Sequence, residues 1–440
     1  MIRSRKERTP FALGAYFTGG ATNGDAWRAP EEDTDADIEF QRYRDYVAVL
    51  EKGRFDAIFL YDNVLPIPDP SLIARTPMLA RWDTFTLLAA LAVTSSHIGL
   101  IGTASTTFNE PYNIARRVAS LDRLSGGRAG WNVVTATGGG ENFNLASHVD
   151  HELRYERAQE FVDVVKRLWK TVEPDAFIRD KRSGEWLNAT HVHPLNHKGR
   201  FFQVAGPLNA PPTIQRPPVV AQAGASGPGK ELAARIGEII YTAEYDINAG
   251  RDYRSDILDR AVRFGRDDRH IRILPGLAPI VALTESEAKA KFEHYLTYLD
   301  KADILRGLSF YASLGTDLSE WPDDRPVELH CVEETNSHKS RQSLIVDWIR
   351  KTHPTKEDIL RTFTRGGHRL LVGTPASIVD EMEEWHQTGA ADGFNIMFTS
   401  SPSGINDFVE MVIPELQRRK IMRSSYASRN LRENLRIPPT

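Results

Sequence analysis

The sequence predicts an α/β fold and, within that class, a (β/α)8 TIM barrel with insertions. Short apolar stretches alternate along the chain with amphipathic helical stretches, which is the pattern of βα units around a parallel sheet. Eight of these stretches are identified as strands, and eight strands with interleaved helices suit a closed barrel better than an open, doubly wound sheet. The length of 440 residues also lies within reach of one barrel that carries insertions.

Each predicted strand is a short apolar run, and helical periodicity or a capping signal supports several of the helices between them. After the first strand, Tyr43, Tyr46, Val47 and Leu50 recur at helical spacing and form one apolar stripe. The pair Thr284 and Glu287 has the spacing of a capping box for the helix that follows strand seven. In chain order the strands are expected at 11–17, 56–60, 98–104, 129–134, 218–223, 238–242, 271–283 and 393–398, with a closing helix around 405–419.

Two stretches interrupt this alternation and are interpreted as insertions. Residues 173–217 are rich in Pro, His and Asn, and residues 301–372 mix helical with loop-like sequence. Neither stretch repeats the βα pattern. We therefore expect a single barrel domain over residues 1–440, with these two insertions.

Composition excludes several classes of function. The chain is 41% hydrophobic and 26% charged with a net charge of −4, so nothing favours a nucleic acid or an acidic membrane as partner. No stretch approaches the roughly 20 apolar residues that cross a bilayer, and a cytoplasmic protein is expected. The one cysteine, Cys331, excludes an intrachain disulfide. The usual hydrolase and nucleotide-triphosphatase motifs are missing from the sequence.

Three histidines, His191, His193 and His197, raise the question of a metal site. They lie in a loop rich in Pro and Asn, and the sequence around them shows no arrangement of carboxylates. His-x-His pairs of this kind usually face solvent, so no metal is expected here.

Polar residues cluster where the predicted strands end, which is where TIM barrels place their active sites. Asp62 follows strand two, Thr103 and Ser105 end strand three, and Asn132 belongs to strand four. From local sequence alone, an Asp just past a strand is more often the cap of a turn than a ligand-binding carboxylate. These residues by themselves specify no reaction.

Strand five ends in the segment GASGPG (224–229), which leads directly into a helix. Its backbone N–H groups and the hydroxyl of Ser226 could hold a phosphate, although such a segment is more often only a tight turn. His151 and Tyr155 are spaced by four residues, so they share one face near the start of the helix after strand four. Both side chains can donate to a phosphate or a ring edge, and both could equally form a solvated helix start.

Long sequence blocks then identify a family. The chain resembles the bacterial-luciferase-like superfamily, and within it the two-component FMN-dependent monooxygenases of the nitrilotriacetate and dibenzothiophene-sulfone monooxygenase type. The resemblance covers nearly the whole chain. Its blocks are 53–63 (GRFDAIFLYDN), 97–136 (with GWNVVTA at its end), 142–162, 197–235 and 373–398.

The resemblance implies a set of flavin contacts at matching positions. Ala225 stands where relatives often have Ser, so one hydroxyl contact is lost there, while its backbone N–H remains. His151 is a candidate for proton transfer, although no catalytic acid or base is assigned. Phe17 and Trp27 are candidates for the substrate pocket. The implied cofactor-binding residues are Asp62, Thr103 or Ser105, Asn132, His151, Tyr155, Ala225 and Ser226.

The resemblance also implies an activity. Reduced FMN, supplied by a separate NAD(P)H:flavin reductase, would activate O2, and one oxygen atom would pass to a small organic substrate. Relatives commonly form dimers or tetramers, so a homo-oligomer is expected. Two alternatives remain open from the sequence: a deazaflavin-dependent hydride-transfer enzyme of the same superfamily, and a flavin-binding protein without turnover.

Overall fold

The computed structural model describes residues 10–17, 26–35, 37–62, 64, 81–136, 138–145, 151–329, 332 and 339–438. Its main sheet has nine strands, all parallel to their neighbours, and a separate hairpin adds two short antiparallel ones. The strands are β1 (Ala12–Phe17), β2 (Ala57–Leu60), β3 (Gly99–Ser105), β4 (Ala129–Val134), β5 (His197–Lys198), β6 (Gln203–Val204), β7 (Val219–Gln222), β8 (Ile239–Thr242), β9 (Arg272–Val281), β10 (Arg369–Gly373) and β11 (Gly393–Met397).

Eight strands of the main sheet close into a barrel. Around the ring their order is β1, β2, β3, β4, β7, β8, β9 and β11, and β11 pairs again with β1. Every one of the eight corresponds to a predicted strand, with its ends within a few residues of the expected ones. The predicted TIM barrel is therefore confirmed.

Helices follow the strands and cover the outside of the barrel. The apolar stripe predicted for the first helix is confirmed, because all four of its residues are buried. The capping box of Thr284 and Glu287 is present as well. The helices are α1 (Phe40–Lys52), α2 (Thr84–Thr94), α3 (Pro111–Leu124), α4 (His151–Leu168), α5 (Gly227–Ile236), α6 (Ile247–Val262), α7 (Glu285–Thr297), α8 (Lys301–Tyr311), α9 (Lys339–Thr352), α10 (Lys356–Phe363), α11 (Pro375–Gln387), α12 (Ser403–Asp407), α13 (Ile413–Arg418) and α14 (Leu431–Asn434), with a π-helical turn at Phe408–Val412.

Alternation along the strands divides the barrel wall into two faces. One set of side chains packs outward against the helices, and Leu13 and Ala15 of β1 belong to it. The other set forms the interior of the barrel, here called the lumen, and includes Ala12, Phe59 and Tyr241. The rings of Phe59 and Tyr241 stack with centroids 4.4 Å apart, which fills the middle of the lumen.

The C-terminal segment closes the lumen at the end where the strands begin. Leu431, Leu435 and Ile437 belong to the same apolar cluster as the inward residues of the strands. A methyl group at Gly99 of β3 would contact Leu431 at 2.5 Å, so the glycine makes room for this segment. Arg272 at the start of β9 donates to the carbonyl oxygen of Leu435 at 3.0 Å.

The stretch 301–372 contains α8, α9, α10 and most of β10. Its helices pack around an apolar cluster of their own, which includes Leu308, Ile345 and Phe363. The strand β10 was not among the predicted strands, because its short apolar run (LLV) is flanked by arginine and glycine. It pairs with the second half of β9, from Leu277 to Val281, and thereby attaches this stretch to the barrel.

Candidate functional site

Two predicted residues lie next to each other inside the lumen, near the ends of β3 and β4. Thr103 and Asn132 are register partners, and both are almost completely buried. The Thr103 hydroxyl donates to the Leu60 carbonyl oxygen at 2.8 Å and accepts from Asn132 Nδ2 at 3.0 Å. Asn132 Oδ1 is buried and has no hydrogen-bond partner among the residues that the structure describes. An acceptor of this kind is costly unless a ligand or a water satisfies it, so it marks this part of the lumen as a binding surface.

The two candidate hydroxyl groups of strand three make different contacts. Ser105 is the last residue of β3, and its hydroxyl accepts from the Thr107 backbone N–H at 3.0 Å. This hydroxyl therefore shapes the turn after the strand, whereas Thr103 holds Asn132 in place. Asp62 lies two residues beyond the end of β2 and is partly buried.

The segment after β7 forms the N-terminal cap of α5. Ser226 is the N-cap residue, and its hydroxyl accepts from the Gly229 backbone N–H at 3.2 Å. A methyl group at Gly229 would lie 3.0 Å from Ser226 Oγ and 3.2 Å from the Tyr155 hydroxyl, so these two hydroxyl groups meet at the helix start. A methyl group at Gly227 would meet no atom of the described ranges within 4 Å, so they leave the backbone there open to a ligand. Ala225 is partly buried against the apolar cluster of α5 and α6.

This arrangement suits a phosphate. The N-terminus of a helix of ten residues carries a partial positive charge and unpaired N–H groups, and a Tyr hydroxyl adds a further donor. The structure thus brings together two of the predicted cofactor-binding residues, Tyr155 and Ser226. His151 is the first residue of α4, the helix that carries Tyr155, and its side chain lies outside the described part.

The two pocket candidates lie in different places. Phe17 packs edge-on against Tyr43 and Tyr46 of α1, in the layer between strands and helices. It points away from the lumen, whereas its neighbour Tyr16 packs against the lumen cluster. Residues four apart in a strand share a face. With Leu13 placed against the helices, the alternation in 11–17 would have predicted that Phe17 faces outward and Tyr16 faces the lumen. Trp27 lies in a short 3-10 turn and is 38% exposed.

Other polar groups near the carboxyl ends of the strands were not predicted. Asn395 of β11 is 4% exposed, and no described residue forms a hydrogen bond with its Oδ1. Burial raises the pKa of Glu244, two residues after β8, to about 7, while its carboxylate accepts from the Thr242 hydroxyl at 2.8 Å. Asn395 lies in an apolar sequence, GFNIMF, and a polar residue in a buried strand is the signal that could have identified it.

The expectation for the three histidines needs a correction. Carboxylates do lie beside them, because a bridge between Val172 and Val192 brings two distant segments together. His191 Nδ1 is 3.1 Å from Asp175 Oδ1, and His193 Nε2 is 2.7 Å from Glu173 Oε1. In the same way, His197 pairs with Glu160 at 2.9 Å. The sequence could not show these pairs, since the partners are 16 to 37 residues apart.

Comparisons with known proteins identify the family of the chain. The family model of the luciferase-like monooxygenases matches residues 22–392. The chain is 42% identical to N-acetyl-S-(2-succino)cysteine monooxygenase of Bacillus subtilis, over 96% of this chain and 95% of that protein. It is 40% identical to nitrilotriacetate monooxygenase component A of Aminobacter aminovorans, again over 96% and 95%.

A solved structure supports the same assignment. Riboflavin lyase, determined with a modified FMN and riboflavin, superposes with a TM-score of 0.84 at 29% identity, over 98% of this chain and 96% of that one. Among the described residues, no helix has the length and apolar character needed to span a membrane. The closed barrel, the two meeting hydroxyl groups at the start of α5 and the matches over nearly the full length lead to one assignment: the chain belongs to the luciferase-like monooxygenases.

Proposed function

We propose that this protein is the oxygenating component of a two-component monooxygenase, which uses reduced FMN from a separate NAD(P)H:flavin reductase to transfer one oxygen atom of O2 to a small organic substrate. Bound reduced FMN would supply the electrons that activate O2. The proposal is supported by two observations: two hydroxyl groups meet at the start of α5, and the amide oxygen Asn132 Oδ1 inside the lumen lacks a partner among the described residues.

The two features suit the two ends of FMN. The hydroxyl groups of Ser226 and Tyr155, with the first turn of α5, would hold the phosphate. Asn132 Oδ1 is an acceptor and would take a ring N–H group, while Thr103 fixes the amide in one orientation. Because β4 and β7 are neighbours in the ring, both groups lie on the same side of the barrel.

The protein would contribute orientation and exclusion of water. Trp131, on the outward face of β4, is completely buried, and it anchors the strand by donating to the Ala104 carbonyl oxygen at 3.2 Å. The strand that presents Asn132 is therefore rigid, which helps to hold a ring in one position. The relatives' names point to different substrates, so the substrate itself is left to the test described below.

The first experiment is an anaerobic fluorescence titration with FMN, first oxidised and then reduced. Wild-type protein should bind reduced FMN in the micromolar range or tighter, and more tightly than the oxidised form. Ser226→Ala should weaken the binding of reduced FMN about tenfold, because a hydrogen bond to a charged group contributes roughly 1.5–3 kcal/mol. Thr374→Ala is the matched control, since Thr374 caps α11 in the same way but lies outside the proposed site.

The outcomes separate the possibilities. Loss of affinity in Ser226→Ala but not in Thr374→Ala supports the phosphate site. Equal effects in both variants would mean that only helix capping has been measured. A wild-type protein that binds neither form of FMN would overturn the proposal, and a deazaflavin titration would follow.

A further inference from the structure

A histidine outside the predicted site occupies an inward position of the barrel wall. His368 immediately precedes β10, and a methyl group placed on Gly276 of β9 would overlap His368 Nδ1. Gly276 follows Leu274 at the spacing of inward residues, and Leu274 belongs to the lumen cluster. The imidazole of His368 therefore takes the place of the side chain that Gly276 lacks.

The contacts of the ring define which nitrogen carries the proton. His368 Nε2 lies 2.7 Å from Nη2 of Arg341, which belongs to α9. An arginine side chain can only donate, so Nε2 is the acceptor and Nδ1 carries the hydrogen. Burial, together with the charges of Arg341 and Arg365, lowers the pKa of His368 well below its ordinary value, and the ring stays neutral. Nδ1 itself is buried and has no hydrogen-bond partner within the described part of the chain.

An acceptor without a partner lies on the neighbouring strand. Asn395 of β11 is the register partner of Gly276, and its Oδ1 is unsatisfied. A methyl group on Gly14 of β1 would lie 3.0 Å from that oxygen, so the amide extends over the inner surface of the wall. The wall thus presents one donor and one acceptor side by side, at His368 and Asn395.

This wall lies across the lumen from the proposed flavin contacts. In the ring of eight strands, β11 is four strands from β4, the strand that carries Asn132. Unsatisfied polar atoms on opposite walls suit a site that holds two ligands, one against each wall. If FMN lies against β4 and β7, the opposite wall is left for the substrate.

The charge at this wall selects the type of ligand. Arg341 and Arg365 both lie close enough to affect the titration of His368, and Arg365 Nη2 is 3.5 Å from the carbonyl oxygen of Phe398, just past β11. The two guanidinium groups make the potential at His368 positive. An N–H donor in a positive field favours an anionic oxygen as its acceptor.

We propose that His368 and Asn395 form the substrate-binding wall of the lumen, and that the Nδ1–H group of His368 donates to a carboxylate of the substrate. This inference rests on the proposed function, because it assigns the substrate to the wall that the flavin leaves free. It adds a substrate class, carboxylate-bearing small molecules, and a residue that selects for it.

Two substitutions separate binding by His368 from a purely structural role. An Asn side chain places its amide nitrogen near the position of Nδ1, so His368→Asn keeps the donor and loses the contact with Arg341. A Gln side chain reaches the position of Nε2, so His368→Gln keeps the acceptor for Arg341 and loses the donor. His270→Gln is the control, since the His270 ring bonds to Asp267 within its own turn, just before the start of β9, and not to His368, Arg341 or Asn395 in the described part of the chain.

The assay is calorimetric titration of FMN-saturated protein with two probes, nitrilotriacetate and succinate. For whichever probe binds to wild type, His368→Gln should weaken binding at least tenfold, while His368→Asn and His270→Gln should stay within threefold. The affinity for FMN should be unchanged in all three variants. Circular dichroism and melting curves check that each variant is folded.

The opposite pattern would overturn the inference. If His368→Asn loses affinity and His368→Gln keeps it, the histidine acts only by supporting Arg341. Equal losses in both variants also exclude a specific role for Nδ1, and a wild-type protein that binds neither probe refutes the carboxylate class. Failure of the proposed function looks different, because wild-type protein would then not bind FMN at all.

Discussion

Replacing Arg432 with methionine should destabilise the protein more than any surface substitution. Arg432 belongs to α14 and forms a two-pronged ion pair with Glu238, with N–O distances of 2.6 and 3.0 Å. The side chains are only 3% and 1% exposed. Arg432 also donates to the carbonyl oxygens of Pro217 and Pro438 at 2.9 and 3.0 Å.

The size of the destabilisation follows from the buried charge of Glu238 that remains after Arg432 is replaced. Removing one partner of a buried pair costs about 3–5 kcal/mol, because the other charge stays buried without compensation. Glu238 would keep its bond from the Val220 backbone N–H at 3.0 Å, and Lys166 still attracts it, so part of the cost is offset. We expect a loss of about 4 kcal/mol in the free energy of unfolding at pH 7.

The assay is unfolding in urea, followed by pulse proteolysis and by the fluorescence of buried tryptophans such as Trp131. The double variant Glu238→Gln/Arg432→Met should recover at least half of the loss, because it leaves no buried charge. If Arg432→Met costs less than about 1 kcal/mol, or if the two substitutions are additive, the pair does not hold the C-terminal segment as described.

Acid should weaken the same pair. The charges of Arg432 and Lys166 outweigh the desolvation of Glu238 and lower the pKa of its carboxyl group below 4.5. A carboxyl group with a lowered pKa in the folded state contributes stability above its unfolded pKa and loses it as the pH falls through the folded value. The difference in the free energy of unfolding between wild type and Arg432→Met should therefore become smaller below pH 4.5.

Three further predictions concern other parts of the barrel. Burial raises the pKa of Glu32 to about 8. From pH 4.5 to about 8 the unfolded chain therefore loses the carboxyl proton of Glu32 while the folded chain keeps it, and the free energy of unfolding falls over that pH range. Urea unfolding should show Glu32→Gln to be more stable than wild type by about 1–3 kcal/mol at pH 8 and equal to it at pH 4. Gly393 has a φ of +146°, and a methyl group there would overlap the backbone of Ala12, so Gly393→Ala should cost at least about 3 kcal/mol in melting experiments. Asn132→Leu should change the free energy of unfolding by less than about 1 kcal/mol but weaken the binding of reduced FMN about tenfold in the fluorescence titration.

Each of these has a contrary outcome. A Glu32→Gln variant with the same pH dependence as wild type would mean that the carboxyl group is ionised in the folded state. A Gly393→Ala variant of normal stability would contradict the close approach of β11 to β1. Asn132→Leu with unchanged affinity would remove Asn132 from the flavin site. For Gly393→Ala the control is Gly184→Ala, which also has a positive φ but meets no described atom within 4 Å, so it shows the backbone cost without an overlap.

The sequence predicts the barrel because each strand is a local pattern. A run such as DAIFL or GFNIMF is apolar enough to be buried whatever surrounds it, and the helices between carry their own periodicity. The strand β10 is different, since its residues 370–372 are only partly buried and it lies inside a stretch of mixed pattern. Its place is fixed by pairing with Leu277 to Val281 of β9, which no local pattern reveals.

The candidate site is predictable to a similar extent. Thr103 contacts Asn132, and Tyr155 meets Ser226, in the way that strand ends and a glycine-rich turn suggest. The wall of His368 and Asn395 depends on a missing side chain at Gly276 and on a contact from α9, and these are matters of three-dimensional packing. The carboxylate partners of His191 and His193 escape sequence analysis for the same reason.

The closure of the lumen by the C-terminal segment also has a consequence for how the protein is synthesised. Leu431 and Leu435 fill the interior beneath strands such as β3, which the ribosome completes more than 300 residues earlier. Until residues 431–437 emerge, the inner surface of those strands has no permanent cover at that end. We therefore expect nascent chains that stop before residue 431 to bind chaperones that recognise exposed apolar segments, and to be released from them once the last short helix can enter the barrel.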